Sequence, residues 1–113
     1  IDCITISKKQ FEFSKNRISA SGLDNKVNVK FLDYRDVKDK YDNIASIEMI
    51  EAVGENYLDK YFGTIKNSLK SNGTAAIQGI TISDNLFERY RTSEDFIQKY
   101  IYFLGDFCRQ KNL

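Results

Sequence analysis

The chain has 113 residues, which corresponds to about one small domain. Apolar residues make up 42% of it and charged residues 29%, a balance typical of a folded globular protein. The formal net charge of +1 gives no electrostatic reason to expect a nucleic-acid partner. The chain contains no histidine, which excludes histidine-based triads, histidine metal ligands and a histidine general base.

The cysteines and the apolar segments indicate no further kind of site. Cys3 and Cys108 lie far apart, so they predict neither a disulfide framework nor a metal-binding spacing. No apolar run is long enough to span a bilayer, and the opening IDCITIS lacks the regions of a signal peptide. The first residue is Ile1, and the chain reads as one that starts in the middle of a strand.

The first predicted elements are a strand over residues 1–6 and a helix that follows it. Ser7 and Gln10 have the spacing of a capping box. In that motif the serine hydroxyl accepts from the Gln10 amide, and the Gln10 side chain reaches back to the cap. The helix is expected to run to about Ser21, where Gly22 is placed to end it in a left-handed conformation.

Two more strands follow this helix. Alternating apolar residues predict a strand over residues 27–32, which the turn residue Asp33 closes. The short apolar run in NIASIE predicts the central strand, over residues 43–48. Because this run lacks polar alternation, it suits a strand that is buried on both faces, as in a parallel sheet.

The rest of the chain continues the alternation of helices and strands. Apolar residues at a four-residue spacing predict a helix over residues 56–69, and residues 71–73 read as a helix stop and turn. A fourth strand is predicted over residues 74–80, whereas residues 83–91 are polar and ambiguous. TSED at residues 92–95 begins a last predicted helix. Strands that alternate with helices predict an α/β fold with a mostly parallel sheet.

The carboxyl ends of parallel strands share one edge of the sheet, so three polar clusters are expected to meet there. They are Thr5, Ser7 and Gln10 after the first strand, Asp33 and Tyr34 after the second, and residues 47–51 after the third. Hydroxyls, a carboxylate and an aromatic ring suit a nucleoside ligand. Each cluster taken alone has a simpler interpretation. Ser7 and Gln10 would only cap a helix, and Asp33 would only open a turn.

The two carboxylates of the third cluster, Glu48 and Glu51, come where the central strand is expected to end. One interpretation makes them part of a site at the sheet edge, with Glu51 at its mouth. The alternative, which spacing alone favours, is that both are solvated residues of a loop or a first helical turn.

Five segments of the chain resemble the cyclopropane-fatty-acyl-phospholipid synthase family. They are ITISKKQFEFSKNRI, FLDYRDV, YDNIASIEMIEAVGENYLDKYF, NGTAAIQGITI and FERYRTSEDFIQKYI, and they follow the family's order over residues 3–101. Members of this family are S-adenosylmethionine-dependent enzymes with a Rossmann-like methyltransferase fold. The resemblance therefore implies that residues 1–113 form part of such a domain.

The resemblance implies roles for eight positions. The expected cofactor contacts are Thr5, Ile6 and Gln10, which lie in the match to a TLSxxQ turn, and Asp33 and Tyr34, which match the segment beside the adenine. The expected catalytic positions are Ile47, near the transferred methyl, Glu51, the active-site glutamate, and Gln78, where many members have a histidine.

The implied reaction adds the sulfonium methyl to a cis double bond of a phospholipid acyl chain. A base then removes a proton and the cyclopropane ring closes. In the family this base is a bicarbonate ion, held partly by the glutamate. The resemblance thus implies a peripheral protein at the cytoplasmic membrane surface. Arg89, Arg91 and Lys99 are candidates for contact with anionic lipid, with plain solvated residues as the alternative.

The chain departs from the family pattern in four respects. The glycine-rich cofactor loop of the first strand is missing, Gln78 replaces the common histidine, and a downstream tyrosine motif is absent. The tail after Ile101, YFLGDFCRQKNL, does not resemble the family. We therefore expect residues 1–113 alone to be inactive, as a fragment. An acceptor other than phospholipid is a further alternative.

Overall fold

The computed structural model describes residues 1–92 and 108–109. The chain divides into two units, residues 1–39 and 40–113, and each is described by itself. The elements of the first unit are β1 (Asp2–Thr5), α1 (Lys8–Ala20) and β2 (Asn28–Phe31). Those of the second are β3 (Tyr41–Ile47), α2 (Leu58–Ser68), β4 (Leu69–Gln78), β5 (Thr81–Ile82), α3 (Asp84–Thr92) and β6 (Cys108–Arg109).

The first unit is a parallel strand pair joined by a helix. β1 and β2 pair in register from Asp2 opposite Asn28 to Thr5 opposite Phe31. The predicted cap of α1 is confirmed, because the Gln10 amide donates a 3.3 Å hydrogen bond to the Ser7 hydroxyl. The predicted helix end is also confirmed, since Gly22 follows α1 with a φ of +65°.

The second half of the predicted capping box is wrong. The Gln10 side chain does not return to the cap residue, because its Oε1 accepts a 2.8 Å hydrogen bond from the Thr5 hydroxyl. The backbone amide of Ser7 donates instead to Thr5 Oγ1 at 3.1 Å. Thr5 ends β1 and lies between the two groups, so it takes the place that the capping box assigns to glutamine.

The second unit contains two parallel strand pairs, β3 with β4 and β5 with β6. Residues 43–47 of β3 pair continuously with residues 74–78 of β4. Between Tyr41 and Asn43 the register shifts, and residues 71–73 lie within β4 as an irregularity. The predicted turn at residues 71–73 is therefore wrong: the Asn-Gly step interrupts strand pairing and does not reverse the chain.

The prediction that β3 is buried on both faces is wrong for this chain. No residue of β3 is fully buried, and the Ile47 side chain is 60% exposed. β3 belongs to a sheet of two strands, so it has one paired edge, and much of its surface stays accessible to solvent. Among the described residues the buried apolar side chains are Ile50, Tyr61 and Phe87, all in the second unit.

The helix predicted over residues 56–69 begins as a 3-10 turn, Glu55–Tyr57, and continues as α2. The ambiguous residues 83–91 form most of α3, and the last predicted helix lies, beyond Thr92, outside the described residues. The chain is thus α/β with parallel strand pairs, which confirms the predicted fold class of a partial Rossmann-like domain. In the described part no helix is long and apolar enough to cross a membrane.

Candidate functional site

The chain leaves β3 through a left-handed residue. Glu48 has a φ of +50°, which is uncommon for a residue other than glycine. Its amide donates a 2.9 Å hydrogen bond to the Gln78 carbonyl, so the conformation continues the pairing with β4 by one residue. A 3-10 turn, Ile50–Ala52, follows and carries the second glutamate.

This turn buries the glutamate that the resemblance singles out. Glu51 is 1% exposed, and its Oε1 accepts a 2.6 Å hydrogen bond from the Ile80 amide. Its Oε2 is buried and has no hydrogen-bond partner among the residues that the structure describes. Because a buried carboxylate oxygen without a partner is costly, such an atom is informative. The solvated interpretation is wrong for Glu51, whereas Glu48 is indeed exposed.

The residues after β4 complete the surroundings of Glu51. Ile50, buried to 1% exposure, packs against the backbone at Gly79, where an added Cβ would lie 2.5 Å from Ile50 Cγ2. The same Cβ would lie 3.4 Å from Glu51 Oε1. The sequence patterns did not single out Ile50, Gly79 and Ile80, although a glycine at the end of a strand pattern is itself a signal of close backbone approach.

The two other predicted catalytic positions face each other across the end of the same strand pair. Ile47 is the last residue of β3 and pairs with Gln78, the last residue of β4. Both are exposed. Ile47 precedes the turn that carries Glu51, and Gln78 precedes the segment that donates to Glu51. The structure therefore gathers these three residues at one end of the sheet.

In the first unit the predicted cofactor residues after β1 form a small hydrogen-bonded network. Thr5 Oγ1 both donates to Gln10 Oε1 and accepts from the Ser7 amide, which fixes the turn between β1 and α1. Within the described residues the side-chain NH₂ of Gln10 has no protein partner. Ile6, in the same turn, is 69% exposed. The turn thus presents one unused amide donor and one apolar side chain.

The cluster after β2 is built on one ion pair. Asp33 caps the 3-10 turn Tyr34–Asp36 by accepting from the Arg35 amide at 2.9 Å. The Arg35 guanidinium also binds both carboxylate oxygens, with Nε 2.9 Å from Oδ1 and Nη2 2.6 Å from Oδ2. The hydrogen bond from Arg35 holds the pKa of the Asp33 carboxyl below its usual range. In turn, the hydrogen bond to Asp33 raises the pKa of the Arg35 guanidinium above its usual value.

The structure thus brings the predicted site residues together in two groups. Thr5 ends β1 and Gln10 follows it, whereas Asp33 and Tyr34 follow its parallel neighbour β2. The other group consists of Ile47, Glu51 and Gln78, in the second unit. Among the described residues no group of cysteine, aspartate and glutamate side chains could hold a metal ion.

Comparison with known proteins identifies the family. The model of the mycolic acid cyclopropane synthetase family matches residues 1–113, the whole chain. The chain belongs to this family. It is 36% identical over 102 residues to tuberculostearic acid methyltransferase UfaA1 of Mycobacterium tuberculosis, covering 90% of this chain and 24% of the relative.

Other relatives carry related names. A probable fatty acid methyltransferase of Pseudomonas putida is 32% identical over 107 residues, covering 91% of this chain and 27% of the relative. The cyclopropane-fatty-acyl-phospholipid synthase of Escherichia coli K12 is 39% identical over 70 residues, covering 62% of this chain and 17% of the relative. The chain therefore spans about a quarter or less of the length of these relatives.

The family is one of S-adenosylmethionine-dependent methyltransferases, and relatives are named for acting on fatty acyl groups. This confirms the family resemblance drawn from the sequence, and it implies S-adenosylmethionine as the methyl donor. The roles of the individual site residues stay predictions.

Proposed function

We propose that this chain is part of an enzyme that builds a cyclopropane ring on a cis double bond of a phospholipid acyl chain. The observation that carries the proposal is the state of Glu51. The carboxylate is buried, and its Oε1 accepts from the Ile80 amide. Within residues 1–92 and 108–109, its Oε2 has no partner. A buried acceptor without a donor at the end of a parallel strand suits a group that binds a further ligand.

The residues of the first unit fit S-adenosylmethionine by the chemistry of their donors and acceptors. The free NH₂ of Gln10 suits an acceptor such as a ribose or carboxylate oxygen. A carboxylate has about four lone-pair positions, so Asp33 keeps capacity for a further donor beside Arg35. When bound, S-adenosylmethionine supplies an electrophilic methyl group.

The free oxygen of Glu51 fits the hydroxyl of a bicarbonate ion. A carboxylate oxygen accepts hydrogen bonds, so Oε2 selects a ligand that offers a donor. A bicarbonate bound there supplies a base for the proton that is lost when the ring closes. Glu51 orients that base, while the exposed side chains of Ile47 and Gln78 line the same strand ends.

The proposed substrate places the protein at a membrane surface. A phospholipid acyl chain is reached from the surface of the bilayer, so we propose a peripheral, cytoplasmic location. Arg89, exposed on α3, supplies a positive charge of the kind that attracts anionic headgroups. Arg91 belongs to the same helix, and Lys99 lies outside the described residues.

A second candidate reaction is methyl transfer to an unsaturated acyl chain without ring closure. Two relatives are named as fatty acid or tuberculostearic acid methyltransferases, and the Gln78 side chain is exposed at the strand end. Ring closure and proton loss to an alkene give products of equal mass. The two outcomes are therefore distinguished by the proton NMR spectrum of the lipid, in which cyclopropane protons resonate apart from alkene protons.

The test uses a chimera of the E. coli synthase. The segment that corresponds to residues 1–92 in the family alignment is replaced by residues 1–92 of this chain. We expect the chimera to form cyclopropane lipid, and Glu51→Gln to lower kcat by about 10²–10⁴-fold with little change in S-adenosylmethionine affinity. Glu48→Gln is the matched control, because it makes the same chemical change at an exposed glutamate. Unchanged ring formation in Glu51→Gln would refute the assignment.

A further inference from the structure

We propose that one face of α1 docks on a membrane surface that carries anionic lipid headgroups. This face, the α1 outer face, consists of Lys9, Phe13 and Arg17, which lie at successive turns because residues four apart share one side of a helix. The inference rests on the function proposed above, which requires access to a phospholipid acyl chain. It concerns the first unit alone and a helix other than the one that carries Arg89.

The opposite side of α1 packs on the strand pair of the first unit. The half-buried residues of the helix are Phe11, Ser14 and Ile18, and all its other residues are exposed. Phe11 meets Phe31 of β2 edge-on, with 6.1 Å between ring centroids, and Lys15 Nζ lies 5.4 Å from the Phe11 centroid. Because the half-buried residues recur at a spacing of three and four, they form one stripe, and the α1 outer face lies outside it.

The α1 outer face presents an aromatic ring to solvent between two cations. Phe13 is 65% exposed, whereas phenylalanine is among the residue types that are most often buried. Lys9 precedes it by one helical turn and Arg17 follows it by one, so each cation lies beside the ring. Helices at membrane interfaces combine these residue types, because the ring enters the headgroup region while the long cationic side chains extend to the phosphates.

The charge of α1 complements an anionic surface. The charged residues of the helix are Lys8, Lys9, Lys15, Arg17 and Glu12. Four cations and one carboxylate give a net charge of +3, whereas the whole chain has +1. Among the described residues none of the four cations forms an ion pair, while Lys30 and Arg35 of the same unit do. The cations of α1 are therefore available to anionic headgroups.

The exposed ring favours a lipid surface over an acidic polypeptide. Either partner could neutralise Lys9 and Arg17, but Phe13 is stabilised only when it leaves water for an apolar phase. The boundary between headgroups and acyl chains offers both environments at one depth. A helix of 13 residues is about 20 Å long, so α1 can lie in the plane of this boundary and bring the α1 outer face into contact along its length.

The experiment measures by sedimentation how the chimera partitions between buffer and lipid vesicles. Lys9→Gln and Arg17→Gln should each lower the partition coefficient about fivefold on phosphatidylcholine vesicles that contain about one third phosphatidylglycerol. Neither substitution should change partition to pure phosphatidylcholine. Phe13→Ser should lower partition to both kinds of vesicle by about five- to tenfold, because it removes apolar burial and no charge.

The matched control is Lys66→Gln, which removes the same charge from an exposed position on α2 and should change neither partition coefficient. Lys9→Arg keeps the charge and should bind as the unsubstituted chimera does. The loss caused by Lys9→Gln should become smaller as the salt concentration rises, because salt screens charges at the surface. Circular dichroism checks that each variant keeps its helix content.

Unchanged partition of the Lys9→Gln, Arg17→Gln double variant to the anionic vesicles would overturn the inference, as would an equal loss in Lys66→Gln. So would a double variant that loses binding to polyglutamate and keeps its partition to vesicles, since the α1 outer face would then serve an acidic polypeptide. If the unsubstituted chimera forms no cyclopropane lipid while Lys9→Gln and Phe13→Ser still lower partition, the proposed function fails and the docking surface stands.

Discussion

The hydroxyl of Tyr61 donates a 2.7 Å hydrogen bond to the Ser46 hydroxyl and so ties α2 to β3. Tyr61 is 1% exposed, and its ring packs edge-on against Phe62 at 5.2 Å between centroids. Ser46 precedes Ile47, the last residue of β3, which pairs with Gln78 at the end of β4. The helix thus holds β3 close to the point where the Glu51 turn begins.

The first prediction concerns this pair. Tyr61→Phe and Ser46→Ala should each destabilise the second unit by about 0.5–1.5 kcal/mol, the net value of one hydrogen bond. The double variant should lose less than the sum of the two single ones, because they remove the same bond. Tyr61→Ala should cost more, about 3–5 kcal/mol, since it also removes a buried ring. Local stability from amide exchange in the chimera measures these values, and strict additivity would contradict the pairing.

The second prediction separates the cap of α1 from the Thr5–Gln10 contact. Ser7→Ala removes the side-chain acceptor of the Gln10 amide and should destabilise α1 by about 1 kcal/mol. Gln10→Ala keeps that amide, so it should cost less stability but weaken S-adenosylmethionine binding. Amide exchange in α1 and calorimetric titration of the chimera measure the two effects. If Ser7→Ala and Gln10→Ala destabilise α1 equally, the side chain of Gln10 does contribute to capping the helix.

The third prediction concerns the left-handed residue. A left-handed conformation costs an ordinary residue about 1–2 kcal/mol, while glycine costs about 0.5–1 kcal/mol in lost chain entropy. Glu48→Gly should therefore stabilise the chain by roughly zero to 1.5 kcal/mol, and Glu48→Val should destabilise it. As a control of opposite sign, Glu12→Gly inside α1 should cost about 1 kcal/mol. Destabilisation by Glu48→Gly as large as by Glu12→Gly would show that φ at residue 48 is not strained.

The fourth prediction follows from the Asp33–Arg35 pair. The pKa of Asp33 is lower in the folded chain than in the unfolded one, because Arg35 donates to its carboxylate. The stability that this pair contributes is therefore complete above the unfolded pKa and is lost as the pH falls through the folded one. Arg35→Gln should return the Asp33 pKa towards its usual range and remove that acid-dependent loss.

An internal control for this titration is Asp42, whose pKa is lowered by a hydrogen bond from Lys70 on the neighbouring strand. In the Arg35→Gln variant the Asp42 pKa should not move. Carboxyl carbon chemical shifts followed against pH report both residues. An unchanged, lowered Asp33 pKa in Arg35→Gln would mean that a group other than Arg35 lowers it.

The fifth prediction concerns residues 1–113 expressed alone. Of the described apolar side chains only three are buried, and each parallel pair is a sheet of two strands. Two-stranded sheets are marginal in water, and unpaired edges favour association. We expect a broad unfolding transition, aggregation and no tight binding of S-adenosylmethionine. Differential scanning calorimetry and a binding titration measure these properties, and cooperative unfolding with micromolar affinity would contradict the prediction.

Local chemistry in the sequence predicted those parts of the fold that local interactions determine. Ser7 and Gly22 delimit α1 because a cap and a left-handed stop act within a few residues. The parallel pairing of β1 with β2, and of β3 with β4, follows from the alternation of strands and helices. The turn expected at residues 71–73 failed because β4 pairs with β3 both before and after these residues, at Leu69 and from Thr74 onwards.

The candidate site also has one part that the sequence predicted and another part that it did not. The resemblance of SIEMIEAVG to a family motif singled out Glu51, although spacing alone favoured a solvated residue. Its burial depends on Ile80, which is 29 residues further along the chain, and on the missing side chain of Gly79. No periodicity within a short window carries information about such a contact, so Gly79 and Ile80 appear only in the structure.

The irregularity in β4 has a consequence for the evolution of this chain. From Tyr41 to Asn43 the partner positions on β4 advance from Leu69 to Thr74, so β4 carries three additional residues there. Insertions or deletions within this segment can be absorbed without altering the pairing of residues 74–78. A single insertion after Thr74 would instead turn every following side chain to the opposite face and displace Gly79 from Ile50. Related genes should therefore vary in length before Thr74 and keep constant length from there to Ile80.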